Sequence, residues 1–412
     1  LSDPAPLSPA MTTDRGRLLT LDALRGVAVM AILIANMPGF ALPDPAYSNP
    51  AAWGDAGPGD IAVWLLTEIF VNGRMRGLFS LLFGASTLLI LQRADQAGLN
   101  GASLHLRRMG VLFVLGMIHR TFIWTGDILV HYALVGVVAL AFVGLSVRRL
   151  CIAALLMAGL SMLLGWLDCA SLLAASARDT PQAVALWNAY QVAFGTPGAA
   201  ALAPEIAAMR GPWSAATAFR LDNNGDPLFD LMTIGPDTLS AMLIGMAALK
   251  SGFLTGAWPR ARYRRWTIVA MALSLPAYAA MAITTMASGF DVRAVSLAEL
   301  FLNVPFRLIG TVGYAALILL LLRPGGWWTT RIAAAGRMAF TNYIATSLVM
   351  TFIFYGHGLG QFARWDRAAI YLLVPPMWGL MLLWSKPCLD RFGQGPLEKL
   401  WRLATRGHPK NS

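Results

Sequence analysis

The chain has 412 residues, 57% of them hydrophobic and only 13% charged, about half the charged share of a soluble domain. The formal charge of +11 does not point to nucleic acid, because Lys and Arg sit in short loops between apolar runs rather than on one polar face. The three cysteines, Cys151, Cys169 and Cys388, are too dispersed for a disulfide framework or a metal cluster, and no metal is expected.

The mean hydropathy of +0.59 comes from apolar runs of about 20 residues spread from end to end, each able to cross a hydrocarbon core and each obliged to be helical there. The prediction is an all-α polytopic membrane helical bundle of about ten transmembrane helices with both termini cytoplasmic. Residues 1–17 are Pro/Ala/Ser-rich and predicted as a disordered N-terminal segment, with Met11 as an alternative start and no cleavable signal. Residues 18–171 form the N-terminal transmembrane half, with spans at 18–40, 75–92, 108–122, 127–146 and 150–171. The loop after the first span carries Asp44, Asp55 and Asp60 but no Lys or Arg, which places it outside. The stretch 61–92 is too long for one crossing at about 1.5 Å per residue. Asn72-Gly73 interrupts it, so an interfacial or re-entrant helix is predicted at 61–72, with Arg74 and Arg76 near the outer surface. Residues 172–227 read as an extracytoplasmic, interfacial insertion of short amphipathic helices. The C-terminal transmembrane half, 228–390, has spans at 228–249, 266–288, 298–322, 335–355 and 368–386, and 391–412 is a cytoplasmic tail. Arg93, Arg107, Arg108, Arg148, Arg149, the arginines between 260 and 265, and the basic tail all fall on one side of this arrangement, the inside.

Ionisable residues inside spans are expensive and need a partner or a purpose. The hairpin between the third and fourth spans holds His119, Arg120, Asp127 and His131 at its outer end. Its short turn brings His119 to Asp127, the arrangement of a carboxylate-oriented general base, and His131 follows Asp127 by one helical turn. Arg74 and Arg76, expected at similar depth, suit an anion or a developing negative charge. The structural alternative is a hairpin cap, with Asp127 as N-cap and partner of Arg120. Asp22 and Arg25 have i,i+3 spacing at the start of the first span, and Arg25 suits either the phosphates of a cytosolic donor or a positive-inside anchor. Asp237 follows Gly235-Pro236 inside the sixth span, where Pro breaks the helix, and an Asp237–Arg307 pair lines a substrate path or locks two helices. Asn36, Asn342 and Tyr343 are candidate binding residues, with helix–helix hydrogen bonding as the alternative for the asparagines. His105 and His357 are read as loop residues and His408 as a tail residue.

The sequence Arg17-Leu18-Leu19-Thr20-Leu21-Asp22-Ala23-Leu24-Arg25-Gly26 resembles the opening motif of the bacterial YeiB family of membrane proteins. So do Leu78-Phe79-Ser80-Leu81-Leu82-Phe83-Gly84, Gly126-Asp127-Ile128-Leu129, Gly336-Arg337-Met338, Thr341-Asn342-Tyr343 and Gly395-Pro396-Leu397-Glu398. That family is similar to the heparan-α-glucosaminide N-acetyltransferase group. The resemblance implies transfer of an acetyl group from cytosolic acetyl-CoA across the membrane to a sugar amine. The group's catalytic His lies in the loop after the first span. Here that loop reads Ser48-Asn49-Pro50-Ala51-Ala52-Trp53-Gly54 without His, and His119 with Asp127 is expected to replace it.

The expected function is a bacterial inner-membrane, multi-pass acyltransferase. Acyl-CoA, for instance acetyl-CoA, is the donor at Arg25 and Arg337, with Asn342 and Tyr343 beside it. His119 and Asp127 are the catalytic pair. A small-molecule or glycan acceptor meets Arg74, Arg76, Arg120, His131, Asp237, Arg307 and Asn36. The partners are lipids, with no nucleic acid, and homo-oligomerisation is left open. The alternatives are a transporter or exporter of a small metabolite centred on Asp237, and a non-catalytic receptor or assembly factor.

Overall fold

The computed structural model describes residues 12–13 and 17–405. The predicted disordered segment lies almost wholly outside these residues, as does His408. A two-residue antiparallel pairing, β1 (Thr12–Thr13) with β2 (Arg17–Leu18), precedes an otherwise helical chain.

Among the described residues, seven helices are long and apolar enough to cross a membrane, or nine if each of two bent pairs counts once. The predicted count of about ten leaves out one of those pairs, Pro181–Phe194 with Ala199–Arg210, which falls in the predicted insertion, and includes Leu129–Phe142 and Ala339–Phe354, which are apolar but too short for that test. Rows of outward-facing Leu, such as Leu155, Leu156, Leu163 and Leu167, remain exposed, as lipid-facing surfaces require. The helices are α1 (Leu19–Ala41), α2 (Pro58–Phe70), α3 (Arg74–Gln96), α4 (Gly101–Phe122), α5 (Leu129–Ala139) and α6 (Val147–Ser176). Four short ones follow: α7 (Pro181–Phe194), α8 (Ala199–Arg210), α9 (Trp213–Asn223) and α10 (Pro227–Thr233). The chain continues with α11 (Gly235–Lys250), α12 (Arg260–Ala287), α13 (Val292–Leu297), α14 (Asn303–Leu321), α15 (Trp327–Arg337) and α16 (Ala339–Phe354). It ends with α17 (Arg367–Ile370), α18 (Val374–Phe392) and α19 (Pro396–Thr405).

Hydrogen bonds gather the helix ends into two layers. At the basic end, Thr20 donates to the Leu254 carbonyl, Lys250 to those of Val143 and Leu145, and Arg260 to that of Leu320. At the far end, buried Arg220 donates to the carbonyls of Thr121, Phe122 and Ile123, which end α4, and so satisfies acceptors that a helix end leaves open. Between the layers, α3 and α11 press together through small residues. A Cβ on Gly84 would overlap the Met242 carbonyl, and one on Gly245 the Leu81 carbonyl, the close approach that lipid-embedded helices favour.

Two expectations need correction. The segment at 61–72 is not a separate re-entrant helix: α2 and α3 form one apolar rod of 39 residues, interrupted at Gly73, whose φ is 70°. Arg74, the first residue after that interruption, is fully buried within the protein. His105 is not in a loop but inside α4, also fully buried, because Asn100 caps that helix one residue before Gly101. The break predicted in the sixth span is present as a 64° bend between α10 and α11. One helix escaped the sequence altogether: α15 runs antiparallel to the first half of α1, with Gly336 against Asp22 and Gly26 against Ile332.

Candidate functional site: two cavities and a buried imidazole

The turn from α4 to α5 carries the first constellation. His119 Nδ1 lies 2.8 Å from Asp127 Oδ1, and both side chains are buried. A carboxylate only accepts, so Nδ1 is the donor of this pair. The other ring nitrogen, Nε2, is buried without a hydrogen-bond partner. The other carboxylate oxygen, Oδ2, accepts the Val130 N–H at 2.9 Å. Asp127 thus both caps α5 and orients the imidazole. The His119 ring faces Tyr343 at 5.3 Å and the edge of Trp124 at 6.3 Å.

Two of the residues grouped with this pair lie elsewhere. Arg120 does not pair with Asp127; it reaches Asp230 at 3.4 Å and the Gly225 carbonyl at 2.8 Å. His131 turns to the Thr238 hydroxyl at 2.9 Å. The one-turn relation to Asp127 fails because α5 begins at Leu129, so Asp127 precedes the helix and shares no helical face with His131.

A cavity of about 310 Å³ opens at the basic end. Arg25, Arg93, Arg108, Arg337 and Arg402 line it with Asp22 and Glu398; Phe79, Leu82, Phe83 and Leu112 make an apolar wall; Ile128, Leu129, Tyr132 and Tyr343 also border it. Arg25 binds Asp22 at 3.2 Å and Ser86 at 2.5 Å, and Arg337 donates to the Gly393 carbonyl. Asn342 lines none of these spaces. It donates to the Ala335 carbonyl and Ser385 and accepts from the Trp384 indole, so it ties α15, α16 and α18 together.

A second cavity, of about 300 Å³, is bordered by Asn36, Asp44, Tyr47, Asn72, Arg76, Trp124, Gly126, Ile128, Glu299 and Arg307. Asp237 bridges two of these residues, at 3.0 Å from Arg76 and 3.0 Å from Arg307. Arg74 does not join them: its guanidinium lies 3.6 Å over the Tyr278 ring and donates to the Glu68 carbonyl. Asn72 links two carboxylates, Glu68 at 2.8 Å and Glu299 at 3.0 Å. Asp44, in the loop after α1, is exposed toward the second cavity and donates its backbone N–H to Glu205; the protein packed around it partly desolvates its carboxyl and raises it above the usual carboxylate range.

The two cavities share Ile128. Tyr343 also borders a small cleft with Asn36, and its hydroxyl accepts the Ile128 N–H at 3.4 Å. Ile128, Gly126, Tyr343 and Asn36 therefore form a thin wall, against which His119 and Asp127 are packed without lining either cavity.

Several residues at or beside the cavities are not singled out by the sequence. Glu299 lines the second cavity and Glu68 meets it through Asn72; both sit in apolar runs and satisfy the same rule that singles out Asp237 and Arg307. Arg93, Arg108 and Arg402 were counted only as loop or tail charges, and no local signal placed Trp401 beside them.

An all-helical fold with exposed apolar helices of membrane-crossing length and cavities rimmed by charge has the build of a polytopic helical membrane protein. Residues 248–408 match a family described as "Protein of unknown function (DUF418)". The chain is 33% identical over 408 residues to "Uncharacterized protein YeiB" of Escherichia coli (strain K12), covering 94% of this chain and 96% of that protein. It is 28% identical over 421 residues to "Uncharacterized protein YxaH" of Bacillus subtilis (strain 168), covering 97% and 96%. The chain belongs to the YeiB family. No solved structure matches it.

Proposed function

We propose that the protein is an acyltransferase of the bacterial cytoplasmic membrane, with about ten crossings and both termini inside, that passes an acyl group from cytosolic acyl-CoA to an acceptor on the other side. The observation that carries this reading is the pair of cavities that share Ile128, with an oriented imidazole packed against their common wall. The donor's phosphates lie at Arg25, Arg93, Arg108 and Arg337, and its arm follows the apolar wall toward Tyr343. The acceptor, an amine or hydroxyl, occupies the second cavity. Rotation of Tyr343 opens His119 Nε2 to both. The imidazole then removes the acceptor's proton, the acceptor attacks the thioester carbonyl, the carbon–sulfur bond breaks, and the thiolate takes the proton back. The Tyr343 hydroxyl replaces Arg74 as the nearest donor for the oxyanion, since Arg74 is turned away onto Tyr278.

The test is incubation of detergent-purified protein with radiolabelled acetyl-CoA and membrane extract. Labelled product is expected from the wild type and not from His119→Ala or Asp127→Asn. Protein that neither retains acyl-CoA nor labels an acceptor sinks the proposal.

A transporter centred on Asp237 has the broken α10–α11 helix in its favour. Against it, both cations beside Asp237 are already paired to it, and Asp237 borders neither large cavity. Substrate flux into liposomes without chemical change, abolished by Asp237→Asn, favours that reading instead.

A further inference from the structure

The C-terminal helix α19 is built into the cavity at the basic end. Glu398, Trp401 and Arg402 are among its lining residues. Glu398 accepts the Phe340 N–H at 2.9 Å, the Thr341 N–H at 3.1 Å and the Thr341 hydroxyl at 2.5 Å. These groups belong to the first turn of α16, where backbone donors lack helical partners, so one carboxylate pins α19 in place. Trp401 lies under the Arg108 guanidinium at 4.1 Å and donates its indole N–H to the Arg108 carbonyl at 3.4 Å. The Arg108 Nε is buried without a hydrogen-bond partner. The chain reaches α19 through Gly393-Gln394-Gly395, and Gly393 has φ 74°, a conformation glycine adopts without strain. α19 therefore has a glycine turn at its start, the Glu398 carboxylate holding its first turn to α16, and Trp401 resting on Arg108.

The charges around the mouth give this geometry a purpose. Five arginines face two carboxylates there, and Arg402 is the arginine that α19 brings. This leaves the mouth with an excess of positive charge, which an anion lying among the arginines would offset. We propose that α19 is a lid completing the head-group site of a phosphorylated ligand, with Arg402 and the Arg108–Trp401 stack closing on the phosphates and Glu398 latching the lid. This rests on the reading of this cavity as the donor site. The phosphates could belong to a CoA thioester or to a lipid diphosphate.

The experiment uses full-length protein in nanodiscs, with acetyl-CoA and farnesyl diphosphate as separate probes. Equilibrium dialysis gives affinity, and the rate of tryptic cleavage after Lys399 reports the lid. The bound probe is expected to slow cleavage at Lys399, and Arg402→Glu to weaken binding by about tenfold or more, the loss of one charge-assisted contact. Glu398→Gln is expected to speed cleavage of the free protein. Leu403→Ala changes an exposed side chain of the same helix that borders no cavity, so retained binding there and loss in Arg402→Glu separates charge from folding. Protection by farnesyl diphosphate alone supports the lid but removes acyl-CoA as donor. Binding with unchanged cleavage and no effect of Arg402→Glu overturns the lid and leaves the donor reading standing. A wild type that binds neither probe overturns both.

Discussion

The His119–Asp127 pair is fully buried and the Arg76–Asp237–Arg307 cluster partly so, and they differ in what they leave unused. Asp237 spends each carboxylate oxygen on an arginine, and the same residues hold α3, α11 and α14 together. His119 spends one ring nitrogen on Asp127 and keeps the other without a hydrogen-bond partner. A closed network of paired charges resists change, because removing one member strands the others in low dielectric. An oriented base with an unused lone pair is the arrangement that does proton transfer. The comparison assigns chemistry to the hairpin and architecture to the cluster.

That division breaks most sharply at His119. His119→Gln, which keeps an N–H donor for the buried Asp127 in a similar volume but supplies no base, is expected to lower the rate of acyl transfer by about 10²- to 10⁴-fold, the usual contribution of a positioned general base, while leaving donor affinity and thermal melting near those of the wild type. Melting that falls along with the rate would make the imidazole a structural group. Asp237→Ala is expected to do the reverse. Stranding Arg76 and Arg307 costs about 3–5 kcal/mol of stability, read as early unfolding in a denaturant series, with turnover per folded molecule much less affected. A stable Asp237→Ala protein that has lost all turnover would move the centre of chemistry to the cluster.

The sequence made these two arrangements legible for different reasons. His119 and Asp127 are eight residues apart across a short turn, so chain connectivity alone brings them together. Asp237 and Arg307 are 70 residues apart, and the cost of a lone intramembrane charge served as the guide. The same guide applied to Glu68 and Glu299, whose link through Asn72 went unnoticed because Asn72 was read only as a helix breaker. The mouth of the basic-end cavity was invisible for a further reason. Arg108 and Trp401 are 293 residues apart and each has an ordinary local explanation, a positive-inside loop and an amphipathic tail. Helix α15 was hidden because its apolar face, set by Ala333, Ala334 and Ala335, is too short and too small-residued to register as a crossing.

The seam between α3 and α11 sharpens the comparison without touching a charge. A Cβ at Gly245 overlaps the Leu81 backbone, so Gly245→Val must push the helices apart, at about 1–3 kcal/mol for an overpacked interior site. Arg76 and Asp237 ride on those two helices. The expected outcome is a lowered melting temperature that a second change, Asp237→Ala, worsens by less than it does alone, since the pair is already strained. Full additivity of the two changes would mean that the seam and the cluster are independent.

The smallest expected effect is in the loop after α1, where Asp44 borders the second cavity and its backbone meets Glu205. Partial desolvation by the surrounding protein raises the carboxyl of the exposed Asp44 above its ordinary value of 3.8, so the folded protein binds that proton more tightly than the unfolded chain does. Stability from this group is complete below the ordinary value and is lost as pH rises through the raised one, because the unfolded chain ionises first. Asp44→Asn cannot ionise and has no such loss. The wild type and Asp44→Asn are therefore expected to melt most alike in acid and to diverge toward neutral pH, with the variant becoming the more stable of the two. A wild type that gains stability over Asp44→Asn as pH rises would instead give the ionised carboxylate a cationic partner, making the second cavity's rim a closed charge pair like the Asp237 cluster.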